Sequence, residues 1–288
     1  MEGTIVKGIA GFYYVKADEN VYQCKARGTF KNDGITPTVG DIVDFQLLPG
    51  SDGMVNKIFP RKNIFVRPPI SNVDCFAVVL AAADPQPNLT IVDKFLVMAE
   101  KSQADVILCI NKVDLAQREV LENIKKIYEN IYPLVCISTV TREGIDELKG
   151  LMKEKKTALT GSSGVGKSTI LNELYPHAKA QTGQVSKKTK RGKHTTRHVE
   201  LFDIGQNALV FDTPGFSSFD ILESKENELQ FFYPEMKEYI GECKYHNCRH
   251  MKEPGCMITK KVAQGEIHKS RYDSYAAQIL EIKEKNKF

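Results

Sequence analysis

Residues 161–168 read Gly161-Ser162-Ser163-Gly164-Val165-Gly166-Lys167-Ser168, which fits the pattern G-x-x-x-x-G-K-[ST] without a gap. The apolar residues Ala158–Thr160 predict a strand just before this stretch, and apolar spacing as far as Leu174 predicts a helix that begins at Lys167. A glycine-rich turn between strand and helix lets backbone amides point inward at phosphate groups, and the helix N-terminus favours their negative charge. The stretch therefore predicts a phosphate-binding loop in an α/β fold.

The end of this loop supplies the side chains that contact a nucleotide. Lys167 would pair with the β- and γ-phosphate oxygens, and Ser168 would offer its hydroxyl to magnesium. Thr169 completes the predicted nucleotide contacts of the loop. A Gly/Ser-rich loop can match the pattern by chance, but the flanking strand and helix argue against that here. The pattern alone does not distinguish ATP from GTP.

A second motif, Asn111-Lys112-Val113-Asp114, predicts guanine as the base. It follows the predicted strand Val106–Ile110, and ligands of open α/β sheets bind beyond the carboxyl ends of the strands. A carboxylate at that place accepts hydrogen bonds from guanine N1–H and the exocyclic amine, a donor pair that adenine lacks. Ser138, which follows the predicted strand Leu134–Ile137, is expected to contact the base as well.

A third motif, Asp212-Thr213-Pro214-Gly215, follows the predicted strand Leu209–Phe211. We expect this strand to direct Asp212 towards the magnesium shell. Gly215 is expected to bond the γ-phosphate through its amide, with a backbone free to rearrange when that phosphate leaves.

The order of the three motifs is permuted. An ordinary GTPase runs phosphate loop, switch threonine, D-x-x-G and N-K-x-D, whereas here N-K-V-D comes first and D-T-P-G last. Moving the chain ends preserves such a site, because domain termini usually lie close together on the surface. The sequence thus predicts a circularly permuted GTPase domain. Its D-x-x-G segment leads directly into the C-terminal part, so we hypothesise that γ-phosphate loss reorients that part.

The segment Gln181–Arg197 carries six positive charges and no acidic residue. A charge run of this kind is either a solvated face or, beside a polyphosphate site, a surface for an RNA backbone. Either Thr195 or Thr196 should complete the magnesium shell, and Thr196 is preferred. Phe216 stands where many GTPases have the glutamine that positions the attacking water, so intrinsic hydrolysis should be slow and His194 is the candidate to align the water.

Three cysteines and a histidine crowd into fourteen residues as Cys243-x4-Cys248-x-His250-x5-Cys256. Three sulfurs and one nitrogen suit a closed, tetrahedral, structural zinc site, and a segment with so little apolar core would depend on the metal for its fold. His246 is a competing fourth ligand. Unligated cytosolic cysteines are the alternative to a metal site, and Cys75 and Cys109 are simple core residues of this kind.

The remaining sequence divides the chain into three domains. Short alternating segments between turn signals in residues 1–66 predict a small β-barrel, and the extended Arg67-Pro68-Pro69 is expected to be a linker. The barrel aromatics Tyr13, Tyr14 and Phe30 are either core residues or stacking surfaces for bases. The predicted GTPase domain covers 67–220, and a mainly helical zinc-binding domain covers 221–288. A chain of 288 residues with 42% hydrophobic residues and a net charge of +4 is typical of a globular cytoplasmic protein, and no apolar run is long enough to span a membrane.

With these motifs in this order, the chain resembles the bacterial ribosome small subunit-dependent GTPase A (RsgA) family over nearly its whole length. The resemblance rests on the barrel, N-K-V-D, G-S-S-G-V-G-K-S, G-K-H-T-T, D-T-P-G-F and the cysteine–histidine spacing. It implies an OB-fold barrel, a permuted GTPase domain and a zinc-binding domain, with Cys243, Cys248, His250 and Cys256 as zinc ligands and His194 as the hydrolytic histidine.

The resemblance also implies weak GTP hydrolysis that the small (30S) ribosomal subunit stimulates, and a role in late maturation of that subunit. The expected partners are GTP, GDP and the 16S rRNA of the subunit, with Mg²⁺ and one structural Zn²⁺ bound, no membrane, and a monomeric protein. Two other functions remain open. One is a non-catalytic RNA-binding scaffold that merely holds GTP, which Phe216 favours, and the other is a GTPase that acts on a different RNA.

Overall fold

The N-terminal strands close into a five-stranded barrel. They are β1 (Glu2–Ile9), β2 (Phe12–Ala17), β3 (Asn20–Ala26), β4 (Ile42–Leu47) and β5 (Gly53–Ile58). The neighbour order is β1-β2-β3-β5-β4, and β4 pairs back onto β1, which leaves no open edge. Inward side chains such as Ile5, Val15 and Phe45 are fully buried, as the alternating pattern requires. The barrel prediction is confirmed.

The computed structural model describes residues 1–28, 30, 34–48, 52–175, 199–212 and 224–285. These residues form two compact units, each assembled from separate stretches of chain. One unit combines Met1–Phe76 and Ile145–Leu159 with the described part of Lys167–Phe216. The other combines Ala77–Gly144 and Thr160–Gly166 with the described part of Ser217–Phe288.

The expected linker after the barrel is a hairpin. Strands β6 (Ile64–Val66) and β7 (Pro69–Ser71) pair with each other, so the prediction that Pro69 lies outside any strand is wrong. Proline is tolerated there because it is the first residue of a short strand in a two-stranded pair, where few backbone donors are needed. The buried Asp41 fixes this hairpin to the barrel, since it accepts hydrogen bonds from Arg61 Nε at 2.7 Å and Ser71 Oγ at 2.6 Å.

The same unit continues with three further strands and two helices. These are β11 (Lys156–Thr160), β12 (Glu200–Gly205), β13 (Ala208–Asp212), α3 (Ile145–Leu151) and α4 (Lys167–Leu174). Strands β11 and β13 are parallel, whereas β12 runs antiparallel to β13. Strand β12 also pairs with β1, at the register Lys7↔Glu200, so the barrel sheet continues into these strands.

The second unit contains a three-stranded sheet covered by helices. Its elements are β8 (Cys75–Ala81), α1 (Leu89–Lys101), β9 (Asp105–Asn111), α2 (Arg118–Tyr128) and β10 (Leu134–Ile137). The strand order is β10-β9-β8, and every residue of β8 is buried, as expected for a strand covered on both faces. The predicted bounds of α1 and β10 agree with the structure.

The C-terminal part of this unit is helical. It comprises 3₁₀ turns at Leu229–Phe232 and Pro234–Tyr239, followed by α5 (Met257–Ala263) and α6 (Lys269–Lys285). Leu229, Met236, Tyr275 and Ile279 form a buried apolar cluster together with Val97 of α1. Among the described residues, no helix is both long enough and apolar enough to cross a membrane.

Candidate functional site

The phosphate loop has the backbone that its glycines predict. Gly161, Gly164 and Gly166 have φ of +142°, +82° and +99°, a region that L side chains rarely adopt. A Cβ at Gly161 would collide with the Val79 carbonyl, and one at Gly166 would collide with the Asn111 side chain. The turn is therefore open only to glycine at these two positions, and the loop packs closely on the strand ends behind it.

Asn111 joins the base motif to the phosphate loop. It ends β9, its side chain is 1% exposed, and its Nδ2 donates to the Val165 carbonyl at 2.8 Å. Its Oδ1 is buried and has no hydrogen-bond partner among the described residues. A buried polar atom without a partner is costly, so this oxygen is suited to a ligand donor.

The next residues turn sharply away from the strand. Lys112 has the left-handed φ of +62°, and its amine donates to the Asp84 carbonyl in the loop after β8. A short 3₁₀ turn, Val113–Leu115, follows and carries the exposed Asp114. The carboxylate is thus presented beyond the end of β9, where a base would lie in an open α/β sheet.

Ser138 lies just beyond β10 and is fully buried. Its Oγ accepts hydrogen bonds from the backbone amides of Val140 and Thr141, at 3.2 and 3.1 Å, and its own amide donates to the Glu143 carbonyl. The hydroxyl oxygen therefore shapes the loop after β10, a role that the sequence pattern did not indicate.

Helix α4 begins at Lys167, directly after the phosphate loop. Ser168 and Thr169 are exposed in its first turn, next to the backbone amides that begin the helix. Burial lowers the pKa of Lys167, because the charged amine is partly removed from water. A bound phosphate would oppose that shift, since an anion favours the protonated amine.

Asp212 is the last residue of β13 and is half-buried. Its carboxylate and the Ser168 hydroxyl are hard oxygen donors, the kind that magnesium binds. The other predicted contacts of this site, Gly215, His194 and the threonine pair Thr195 and Thr196, lie outside the described residues.

The cysteine–histidine cluster comes together in space. The ligand atoms of Cys243, Cys248, His250 and Cys256 all lie within 4.8 Å of one another. Nδ1 of His250 is 3.5 Å from Cys243 Sγ and 3.4 Å from Cys256 Sγ. Three thiols and an imidazole nitrogen that converge in this way fit a tetrahedral zinc ion. The competing ligand His246 is exposed and outside the cluster.

Gln230 orients the histidine of this cluster. Its Oε1 lies 2.7 Å from His250 Nε2, and its Nε2 donates to the Asn227 carbonyl at 3.0 Å. Burial also lowers the pKa of His250, which favours the neutral imidazole that binds metals. Sequence reasoning missed Gln230, because nothing in the pattern connects an amide to a histidine twenty positions away.

Glu253 lies in the loop between the metal-ligand candidates His250 and Cys256 and stabilises this loop. Its carboxylate accepts the backbone amides of Arg249, Met251 and Lys252 at 2.8, 2.8 and 3.0 Å. Partial burial acts to raise the pKa of Glu253, but these amide donors outweigh it and lower the pKa to about 2. The Glu253 carboxylate therefore stabilises the loop that presents His250 and Cys256 by accepting backbone amides of the same loop.

Comparison with known proteins gives the same picture over the full chain. The family model described as RsgA GTPase matches residues 58–222, and the RsgA N-terminal domain model matches residues 2–55. The small ribosomal subunit biogenesis GTPase RsgA of Alkaliphilus metalliredigens is 42% identical over 290 residues, covering 100% of this chain and 99% of that protein.

Two solved structures match as well. The crystal structure of YjeQ from Thermotoga maritima has a TM-score of 0.85 at 32% identity and covers 98% of both chains. The structure of YloQ, described as a circularly permuted GTPase, has a TM-score of 0.83 at 35% identity and covers 99% of this chain and 95% of that one. Together with the permuted motifs and the cysteine–histidine cluster, these matches establish that the chain belongs to the RsgA GTPase family.

Proposed function

We propose that this protein hydrolyses GTP in the course of late maturation of the small ribosomal subunit, and that the subunit stimulates hydrolysis. The hydrogen bond between Asn111 and the Val165 carbonyl carries the nucleotide part of the proposal, since it brings the guanine motif onto the phosphate loop. Relatives that match over the full length are named small ribosomal subunit biogenesis GTPases, which supports the ribosomal part.

The proposed nucleotide contacts follow the chemistry of GTP. Asp114 accepts the guanine N1–H and exocyclic amine, with Asn111, Lys112, Val113 and Ser138 around the base. The backbone amides of residues 161–166 surround the phosphates. Lys167 pairs with the β- and γ-phosphates, Ser168 and Thr169 begin the helix beneath them, and Gly215 donates its amide to the γ-phosphate.

Two metals belong to the proposal. Mg²⁺ would be held by Ser168, Asp212 and Thr196 and would neutralise charge on the phosphates. One Zn²⁺ would be held by Cys243, Cys248, His250 and Cys256, as a closed structural site that organises the C-terminal domain. The convergence of these four side chains within 4.8 Å supports the second assignment.

Hydrolysis requires a group that aligns the attacking water. We assign this role to His194, because Phe216 takes the place of the glutamine that serves it in many GTPases and has no group that hydrogen-bonds to water. The basic segment 181–197 would contact the 16S rRNA backbone, as would the lysines next to the zinc cluster in sequence, Lys244, Lys252, Lys260 and Lys261.

The proposed architecture is an OB-fold barrel in 1–66, the permuted GTPase domain in 67–220 and the zinc-binding domain in 221–288. The two family-model matches, 2–55 and 58–222, support a barrel followed by a GTPase domain, although they divide the chain about ten residues before the proposed boundary at 66. We further propose that the protein acts as a cytoplasmic monomer that cycles between GTP and GDP.

Steady-state GTP hydrolysis, measured with and without isolated small subunits, tests the proposal. We expect slow turnover alone, strong stimulation by small but not large subunits, and loss of the stimulated rate in His194→Ala. Turnover that no subunit or variant changes would instead favour a scaffold that only holds GTP. Stimulation by another RNA, without co-sedimentation with small subunits, would favour a GTPase that acts on that RNA.

A further inference from the structure

A row of three charged residues crosses from the barrel to the end of β13. Lys7 of β1 is paired in register with Glu200 of β12, and Glu200 is paired in register with Asp212 of β13. Residues directly opposite each other on antiparallel strands point to the same face of the sheet. Lys7, Glu200 and Asp212 therefore lie side by side on one face.

The first two members of the row form an ion pair. Lys7 Nζ is 2.8 Å from Glu200 Oε2, and the two side chains are 27% and 26% exposed. Partial burial reduces screening by solvent, so this pair retains more of its field than a fully exposed one.

The second and third members carry charges of the same sign. Directly opposite residues have Cβ atoms about 4.5–5.5 Å apart, and like charges at such positions destabilise the pairing. The positive charge of Lys7 offsets the negative charge of Glu200. The electric field at Asp212 therefore depends on a residue of the barrel.

We propose that the Lys7–Glu200 pair is a positioning element that sets the divalent-cation affinity of the site containing Asp212. The proposal rests on the proposed function, which places a cation at this carboxylate. It adds a direct electrostatic connection between the barrel and the nucleotide site, so that a ligand that draws Lys7 away from Glu200 would change cation binding.

The charges predict whether each substitution raises or lowers the cation affinity. Lys7→Met leaves Glu200 uncompensated and adds negative potential, so a cation should bind about threefold to tenfold more tightly. Glu200→Gln leaves Lys7 uncompensated, so binding should weaken by a similar factor. The double variant restores the net charge of the pair and should return close to wild type.

A second ion pair between the barrel and β12 provides the matched control. Lys16 Nζ lies 2.9 Å from Asp203 Oδ2, but the residue opposite Asp203 on β13 is the apolar Leu209. Lys16→Met removes an ion pair of the same kind. It should leave the cation affinity unchanged within about twofold, because β13 carries no carboxylate opposite Asp203.

Mn²⁺ binding to the full-length protein·GDP complex, followed by the electron paramagnetic resonance of free Mn²⁺, tests the proposal without an activity assay. Opposite shifts for Lys7→Met and Glu200→Gln support it. Changes of Mn²⁺ affinity in the same direction in both variants, or no change, overturn it. Mere loosening of the barrel would change the affinity of both variants and of Lys16→Met in the same direction. A wild-type complex that binds no Mn²⁺ would instead contradict the cation site of the proposed function itself.

Discussion

The side-chain amide of Asn111 donates a 2.8 Å hydrogen bond to the backbone carbonyl of Val165. One residue of the base motif thereby supports the phosphate loop directly. Because Gly166 adjoins this contact and has no room for a side chain, the two motifs are held at a fixed spacing.

Replacing Asn111 should consequently impair both halves of the nucleotide site. Asn111→Ala leaves the buried Val165 carbonyl unpaired, at a cost of about 1–3 kcal/mol, so we expect GTP and GDP affinity to fall about tenfold or more. Titration with a fluorescent GDP analogue measures this. Asn123→Ala, at an exposed position of α2, is the control. Wild-type affinity in Asn111→Ala would show that the loop does not depend on this bond.

Motifs that combine contiguous residues with a flanking strand and helix were predictable from sequence. The loop at 161–168 and N-K-V-D occupy the strand ends that their patterns indicated. Helix α1 was predicted at its observed bounds because its apolar face repeats regularly. The side chain of Asn88, which accepts the Ile91 amide, caps its start.

Contacts between distant residues were not predictable. Strand β12 was missed because its short sequence, Glu200–Gly205, gains its partners only when β1 and β13 come alongside. The missing amide of Pro69 predicts a linker rather than a strand, yet a two-residue turn places Pro69 in a hairpin. Such pairings depend on tertiary context, which local patterns do not contain.

Gln230 should control the affinity of the metal centre. Because its own amide group donates to the Asn227 carbonyl, its oxygen faces His250 Nε2, and the proton on that nitrogen leaves Nδ1 free to face the thiols. Gln230→Ala should weaken zinc binding about 10–100-fold, measured by competition with a chromogenic chelator. Gln230→Glu keeps an acceptor and should retain most of the affinity.

The exposed Gln264, at the end of α5, gives the control for this experiment. Gln264→Ala should keep wild-type zinc affinity. Equal affinities in Gln230→Ala and Gln264→Ala would contradict the orienting role of Gln230.

Glu253 should make stability depend on acid pH in a specific direction. Its pKa is lowered to about 2 from an ordinary 4.5, so its ionised form is favoured by folding. That contribution is complete above the unfolded value and is lost as the pH falls towards 2. The stability difference between wild type and Glu253→Gln should therefore be constant from about pH 8 to 5.5 and shrink below about pH 4.5.

Urea unfolding of both proteins at each pH measures this difference. Glu122→Gln, at an exposed position of α2, should match wild type throughout. A difference that already changes between about pH 8 and 5.5 would mean that another group is responsible.

Arg271 holds the C-terminal helices to α1 through buried charges. The side chain is fully buried, and its guanidinium donates to Asp93 of α1 and, at 2.6 Å, to Glu235 Oε1. Tyr128 of α2 donates to the same Asp93 oxygen at 2.8 Å. Removing one partner of a buried ion pair leaves an uncompensated charge away from water, which typically costs about 3–5 kcal/mol.

Arg271→Ala should therefore lower the free energy of unfolding by about that amount, whereas Lys269→Ala should change it by less than about 1 kcal/mol. Lys269 pairs with Asp273 one turn away on the same helix, but their side chains are 76% and 55% exposed, so water solvates either charge when the other is removed. Chemical unfolding measures both variants. In Arg271→Ala/Asp93→Asn part of the loss should be recovered, because the second change removes one of the two carboxylate charges that the first one leaves unpaired, the other being Glu235. A double variant no more stable than Arg271→Ala would mean that the lost packing of the arginine or the unpaired charge of Glu235, rather than the unpaired charge of Asp93, causes the loss.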